Sequence, residues 1–520
     1  MRKLAVAWAL ALACASGTAG TYANPVLYAD YSDPDVIRVD DDYYLVASSF
    51  HFSPGIPVLK SKDLVHWKIV GHVLPKLDFH PAYDMSASYP LTDAVSKPVG
   101  DGLRYAGGVW APAIRFHNGL FYVYWATPNE GIFMSSSRDP AGAWSTPVTV
   151  LAGPGYEDPC PFWDDDGKAW LIHSRVGAGP GILHAMSPDG KTLLDAGKTI
   201  VEDRVNLPVF EGPKFYKRNG YYYIFAPIGG VGSGPQAVLR ARRIDGPYES
   251  RTVLQPGNGL SGPHQGGYVE TPAGEGWFMH FNSTGAFGRI VHLQPVTWRD
   301  DWPVMGDAGL PVPSHAAPRT ATLSPAQLAE YRLQDSDEFS SAQLGLQWSW
   351  NHNPDDRRWS LTQRPGFLRI HASQSQYLVG ARNTLTQILQ GPQSEIVTRL
   401  ELGGMVDSQR AGLSLFGVKV PWLGVVREGG TNYLTYSNAG VETRGAQLAA
   451  NAVLLRAVVK PDQTVQFSYA LAENGPYTDI GPVTELAKFS WWKGSRPAVF
   501  TYTKSAAAGY IDVDWFRVTH

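Results

Sequence analysis

Cysteine is nearly absent from this chain: among 520 residues only Cys14 and Cys160 carry a thiol. That excludes a disulfide-stapled scaffold and the cysteine clusters that hold zinc or iron–sulfur centres. Beyond the N-terminus no segment approaches the roughly 20 consecutive apolar residues that a membrane-spanning helix requires. An excess of charge is missing as well. The 44 Lys and Arg nearly balance the 47 Asp and Glu, leaving a net charge of −3, so nothing calls for nucleic acid or an anionic membrane as partner. There is no His-Glu-x-x-His string, no phosphate-cradling glycine loop and no dinucleotide fingerprint, which argues against zinc and nucleotide cofactors.

What is present begins with Arg2 and Lys3, an apolar run from Leu4 to Ala15, and small residues leading to Thr21-Tyr22-Ala23. This pattern predicts a secretory signal peptide over residues 1–23 and a secreted or periplasmic mature protein. Lipidation of Cys14 is the alternative, with Ala11 standing where a bulky aliphatic is usual. Removal of the leader would leave Cys160 as the sole thiol. The remaining length suggests two domains. Abundant aromatics (12%), 54 Gly and 39 Pro favour many short strands joined by tight turns, hence an all-β chain.

A unit recurs five times between residues 33 and 298. Its opening segments are Asp33-Pro34-Asp35, Trp110-Ala111-Pro112, Asp158-Pro159-Cys160, Glu211-Gly212-Pro213 and Gly262-Pro263-His264. About ten residues later comes a turn and an aromatic strand, as in Asn118-Gly119 before Phe121-Tyr122-Val123 and Asn219-Gly220 before Tyr221-Tyr222-Tyr223. Asn-Gly and Asp-Gly admit the positive φ angles of two-residue hairpins. A second turn closes several units, as in Ser61-Lys62-Asp63 and Ser137-Arg138-Asp139. Units of about fifty residues with some four strands read as blades of a five-bladed β-propeller over residues 24–318. Residues from Lys76 to Gly108 read as an insertion over one face.

In a propeller the innermost strands surround one channel, so equivalent repeat positions become neighbours. Taken at one register, the opening segments bring together Asp33, Trp110, Asp158, Glu211 and His264. Three carboxylates without an obvious compensating cation repel one another, which raises at least one pKa and makes a proton donor near neutral pH. Paired carboxylates in an aromatic-lined pocket are what glycosidic bond hydrolysis requires: one protonates the leaving oxygen while the other activates water or attacks directly. For any acid alone, shaping the turn before proline is the plainer explanation; their convergence favours chemistry.

The strings Ser32-Asp33-Pro34-Asp35-Val36-Ile37-Arg38-Val39, Trp110-Ala111-Pro112, Tyr156-Glu157-Asp158-Pro159 and Glu211-Gly212-Pro213 with Tyr221-Tyr222-Tyr223 resemble glycoside hydrolase family 43. The resemblance implies Asp33 as general base, Glu211 as general acid, Asp158 as the carboxylate that orients the acid and tunes its pKa, and an inverting mechanism. It implies pocket walls from Phe50 and Trp110 and a hydrogen-bonding role for Arg289. His264 matches a channel histidine near bound calcium or water and is expected, with Phe50, Trp110 and Arg289, among the substrate contacts. Calcium is an open expectation, acting on His264 through water, because the ion prefers about six to eight oxygen ligands; no other cofactor is expected.

After a linker at 319–334, residues 335–520 resemble the lectin-like, concanavalin A-type β-sandwich that follows some family 43 propellers. Trp348 and Trp350 are read as core, and Asn351 to Arg358 as a loop that touches the propeller. The resemblance implies a domain that rests against the propeller and can close one side of the pocket, which would restrict action to chain ends. The activity expected is release of xylose from the non-reducing end of xylo-oligosaccharides, with α-L-arabinofuranosidase or dual activity on arabinoxylan as alternative. A non-catalytic glycan-binding propeller and retaining fructose-transfer chemistry are the rivals.

Overall fold

The computed structural model describes residues 20–85, 103–320 and 322–520. From Asp35 to Met305 the chain builds five antiparallel four-stranded sheets, the blades of a propeller. Their first strands are Asp35–Val39, Trp110–His117, Tyr156–Trp163, Lys214–Arg218 and His264–Glu270. The Asn-Gly turns behave as their chemistry demands: Asn118 and Gly119 have φ of 48° and 76°, Asn219 and Gly220 51° and 73°, both central positions left-handed as a type I′ hairpin requires. The second recurring turn joins the third and fourth strands of a blade. In the first blade Ser61 Oγ there accepts from the backbone N–H of Asp63 and Leu64.

Ring closure is largely hydrophobic. Val36, Tyr43 and Leu59 of the first blade pack with Trp277, Met279 and Leu293 of the fifth, and Leu27 and Val291 exchange backbone hydrogen bonds. Thr21–Ala23, which the sequence assigns to the leader, instead pairs with Ser314–Ala316. Tyr22 is 5% exposed, its ring 5.9 Å edge-on from Trp277 and its hydroxyl donating to Leu293 O. The physical reason is an apolar seat for one aromatic ring, which the leader pattern does not register. Residues 1–19 of the expected signal peptide, and Cys14 with them, lie outside the described residues. So does the middle of the expected insertion, residues 86–102.

The linker region also has a fixed course. A short helix, Pro325–Glu330, is capped reciprocally by Ser324 and Gln327. Its Glu330 pairs with Lys68, and Gln334 bonds both backbone groups of Ile69, so the segment lies along the outer strand of the first blade.

The C-terminal sandwich has one sheet of seven strands and one of nine. Trp348 and Trp350 are 2% and 3% exposed within its core. Its larger sheet ends on a strand from the propeller: Phe52–Ser53 pairs with Ser349–Asn351. The loop that follows is tied down too. Asn351 Nδ2 donates to Tyr105 Oη at 2.7 Å, Leu77 N to Asn353 Oδ1 at 2.8 Å and Lys76 Nζ to Asp356 Oδ2 at 2.6 Å.

Candidate active site

The first-strand ends of the blades meet at a pocket of about 390 Å³, within the range of small-molecule sites. Asp33, Asp158 and Glu211 line it, with Phe50, Trp110 and Arg289. Val176, Ala178, Val209 and Val231, from loops of the third and fourth blades, add an apolar wall.

The register differs by one from the sequence alignment. The left-handed backbone position recurs at Asp33, Ala111, Asp158, Gly212 and Gln265, with φ from 34° to 56°. Asp33 and Asp158 therefore occupy one repeat position, whereas Trp110, Glu211 and His264 precede it by one residue. Aligning on acid letters hid this; the prolines that follow Asp33, Ala111, Asp158 and Gly212 mark the true register. The corrected alignment sets Glu157 beside Glu211. Glu157 also lines the pocket, is 6% exposed, and its Oε1 has no hydrogen-bond partner within the protein. It stood in the string that carried the family resemblance yet received no role.

Two electrostatic environments result. Asp33 has its cation: Arg289 Nη1 donates to Oδ1 at 2.7 Å and Ser48 Oγ to Oδ2 at 2.5 Å. The expectation of three uncompensated acids thus fails at Asp33, which forms a buried ion pair with Arg289. The other acids are crowded, with one oxygen from each of Glu157, Asp158 and Glu211 all within 4.8 Å. Burial, then the neighbouring Glu211 carboxylate, pushes Asp158 up to about 6, although the backbone N–H of Gly212 donates to it at 2.7 Å. Glu157 is raised further, by burial and by the charges of Asp158 and Glu211. Like charges this close cannot all ionise at neutral pH, so the cluster holds a proton.

The pocket also takes a residue from the sandwich, Trp492. Its ring centroid lies 6.2 Å from Trp110, which lies 6.3 Å from Phe50. Sequence holds no signal for it, since it lies far along the chain from all three propeller acids and outside any repeat.

Residues 22–303 match the family described as Glycosyl hydrolases family 43, and residues 336–519 match the Beta xylosidase C-terminal Concanavalin A-like domain. The chain belongs to glycoside hydrolase family 43. It is similar to a putative beta-xylosidase of Xylanibacter ruminicola, 46% identical over 79% of this chain and 73% of the relative. A beta-xylosidase of Formosa agariphila is 33% identical over 96% of this chain and 90% of its own length. A non-reducing end alpha-L-arabinofuranosidase of Bacteroides ovatus is 34% identical over 67% and 65%. Among solved structures, a bifunctional GH43-CE protein of Bacteroides eggerthii superposes with a TM-score of 0.84 at 30% identity, covering 96% of this chain and 64% of the other.

In this family 43 hydrolase His264 sits behind the pocket rather than in it. It is 0% exposed and absent from the lining, with Nε2 2.8 Å from Glu211 Oε1. Its expected place as a substrate contact is therefore corrected. His264 brings no oxygen of its own to a calcium ion, which takes about six to eight of them, and both of its buried ring nitrogens are without an aligned hydrogen-bond partner within the protein. The one cluster of three ligand-bearing side chains among the described residues is Glu157 with Asp158 and Glu211, on the pocket wall. Cys160 is a buried free thiol.

Proposed function

We propose that this hydrolase removes xylose from the non-reducing end of β-linked xylo-oligosaccharides with inversion at the anomeric carbon. The observation that carries the reading is one pocket holding carboxyl groups in two kinds of surroundings: Asp33 in a buried ion pair with Arg289, and Glu211 crowded within 4.8 Å by Asp158 and Glu157. Glu211 donates its proton to the glycosidic oxygen as the bond to the anomeric carbon breaks. Asp33 takes a proton from the water that forms the new bond on the opposite face. Each Asp33 oxygen already accepts one hydrogen bond, but a carboxylate has about four acceptor sites, leaving room for that water. Asp158 orients Glu211 and tunes its pKa. Phe50, Trp110 and Trp492 wall the terminal sugar, and Trp492 supports exo action because it closes the pocket from the sandwich side. The reaction needs no cofactor. The expected leader supports a secreted or periplasmic location.

The names of the Xylanibacter and Formosa relatives favour xyloside; the Bacteroides ovatus relative keeps α-L-arabinofuranoside as the second reading. The test is turnover of 4-nitrophenyl β-D-xyloside against the α-L-arabinofuranoside, beside Asp33→Ala and Glu211→Ala. Each variant should lose about 10²- to 10⁴-fold, and NMR should show α-xylose as the first product. Faster arabinoside turnover would replace the substrate, near-normal variants would overturn the residue roles, and binding without turnover would revive a glycan-binding propeller.

A further inference from the structure

The turn Ser490–Lys493 enters the propeller with an unusual backbone. Ser490 and Lys493 exchange both backbone hydrogen bonds, and the two residues between them, Trp491 and Trp492, have φ of 54° and 67°. Bulky side chains rarely adopt that left-handed conformation, and they persist in it only where surrounding contacts over-determine it. Each residue here has such a contact. The Trp491 ring lies 4.3 Å from Tyr105 and 5.6 Å from Phe416, and Trp492 lines the pocket. Gly494 N donates to Asp30 Oδ2 at 3.0 Å, and a Cβ there would come within 2.6 Å of Ala286 O and Gly288 N.

Lys493 is the residue whose contacts lead to the chemistry. Its ammonium is 3% exposed and donates to Ser48 O at 2.8 Å, Asp30 O at 3.2 Å and Ser32 Oγ at 3.5 Å. Asp30 Oδ2 lies 3.7 Å away. Ser48 is the link: the residue whose carbonyl accepts from Lys493 donates its hydroxyl to Asp33 and accepts the N–H of Ala111 at 2.7 Å. Asp30 flanks the same carboxylate, because its Oδ1 accepts the backbone N–H of Arg289, whose guanidinium holds Asp33.

We propose that Lys493 is a positioning residue for Asp33, supplied by the sandwich: it fixes Ser48 and Asp30 around the carboxylate and sets a second positive charge behind it. The base is then complete only with the second domain seated. This deepens the reading of Asp33 as general base and rests on it. The groups facing the ammonium are Asp30, Asp33, Arg289, Arg496 and His51, with the Phe50 ring 5.4 Å away. Burial, opposed in part by Asp30, lowers the Lys493 pKa to about 8. It therefore stays protonated across the acidic limb.

The test is the pH profile of kcat/KM on an aryl pentoside for the full-length protein and for Lys493→Met, Lys493→Gln and Ser48→Ala. Removing a cation raises a carboxylate pKa, so the acidic limb should move to higher pH, by about one unit for the lysine variants. The kcat should fall about tenfold or more while KM changes little, since the general base contributes about 10²- to 10⁴-fold. Gln can still donate to Ser48 O and so separates the charge from the packing. A lysine that only glued domains together would lower the melting temperature and leave the limb in place. A Lys493→Gln limb at the wild-type pH overturns the proposal, and so does an unmoved limb in Ser48→Ala, which stands even where the lysine variants do not fold. Near-normal activity in Asp33→Ala would instead overturn the base assignment beneath it.

Discussion

At the scale of single residues the pocket separates acids by their surroundings. Asp33 is paired with a guanidinium, whereas Glu157 is buried beside two other carboxylates and retains its proton. Glu157→Gln, neutral and of the same shape, should therefore keep kcat/KM within about threefold near pH 6, compared with the 10²-fold or greater loss typical of a removed general acid. Its stability carries a sign. The unfolded carboxyl ionises near pH 4.5 while the folded one stays protonated well above that. The native state thus binds more protons over the interval, and wild-type stability falls as pH rises through it. Glutamine does not titrate, so the melting temperature of Glu157→Gln minus that of wild type should increase from pH 5 to pH 8; a constant difference would mean that Glu157 is ionised in the native state. The acid and base assignments differ in a second observable. 4-Nitrophenolate departs with little help, so Glu211→Ala should lose more activity on xylobiose than on the aryl xyloside. Asp33→Ala should lose similarly on both, as steady-state rates on the two substrates will show.

At the scale of elements, the blades were legible because their signals are local. Asn118-Gly119 and Asn219-Gly220 force hairpins wherever they occur, and Ser-x-Asp turns such as Ser61-Lys62-Asp63 mark the outer ones. The acids were legible as a group but not in register, since matching acid to acid overrides the one-residue offset between Asp158 and Glu211 that the following prolines, Pro159 and Pro213, mark. Strand Thr21–Ala23 was not legible, because its partner, Ser314–Ala316, lies at the far end of the propeller. That pairing predicts that any cleavage of the expected leader falls on the N-terminal side of Thr21, to be read from the mass of the purified protein. Truncating a large buried aromatic side chain to alanine costs about 3–5 kcal/mol, cavity included, so Tyr22→Ala should lower stability by about that amount in a denaturant titration. A change under about 1 kcal/mol, within the ordinary range of surface substitutions, would show that this strand contributes little.

At the scale of the whole molecule, the propeller and the sandwich share one sheet, two apolar clusters and one pocket. Phe52 and Tyr105 of the propeller pack with Trp491 and Phe500 of the sandwich, and Phe52–Ser53 extends the sandwich's larger sheet. Two domains joined by a small polar contact would melt separately. Here calorimetry should show a single transition, and the propeller expressed as residues 20–318 should be inactive and poorly soluble, with that cluster uncovered. Two resolved transitions with activity surviving the first would contradict this. None of the interdomain contacts was legible beyond the loop Asn351 to Arg358, because docking surfaces have no period: Trp492 and Lys493 belong to no motif or repeat, and only the fold carries them to Trp110 and Ser48.

The strand Phe52–Ser53 has a bearing on descent. A gene segment encoding the sandwich cannot be moved onto another propeller as a finished cassette, since two residues of its sheet are encoded some three hundred codons upstream, between the first blade's second and third strands. Recombination at the linker would separate Phe52 from Asn351 and Ser48 from Lys493 in one event. Chimeras between homologues that break the chain there should inherit a mismatched seam, and lineages that keep both halves should pass them on together.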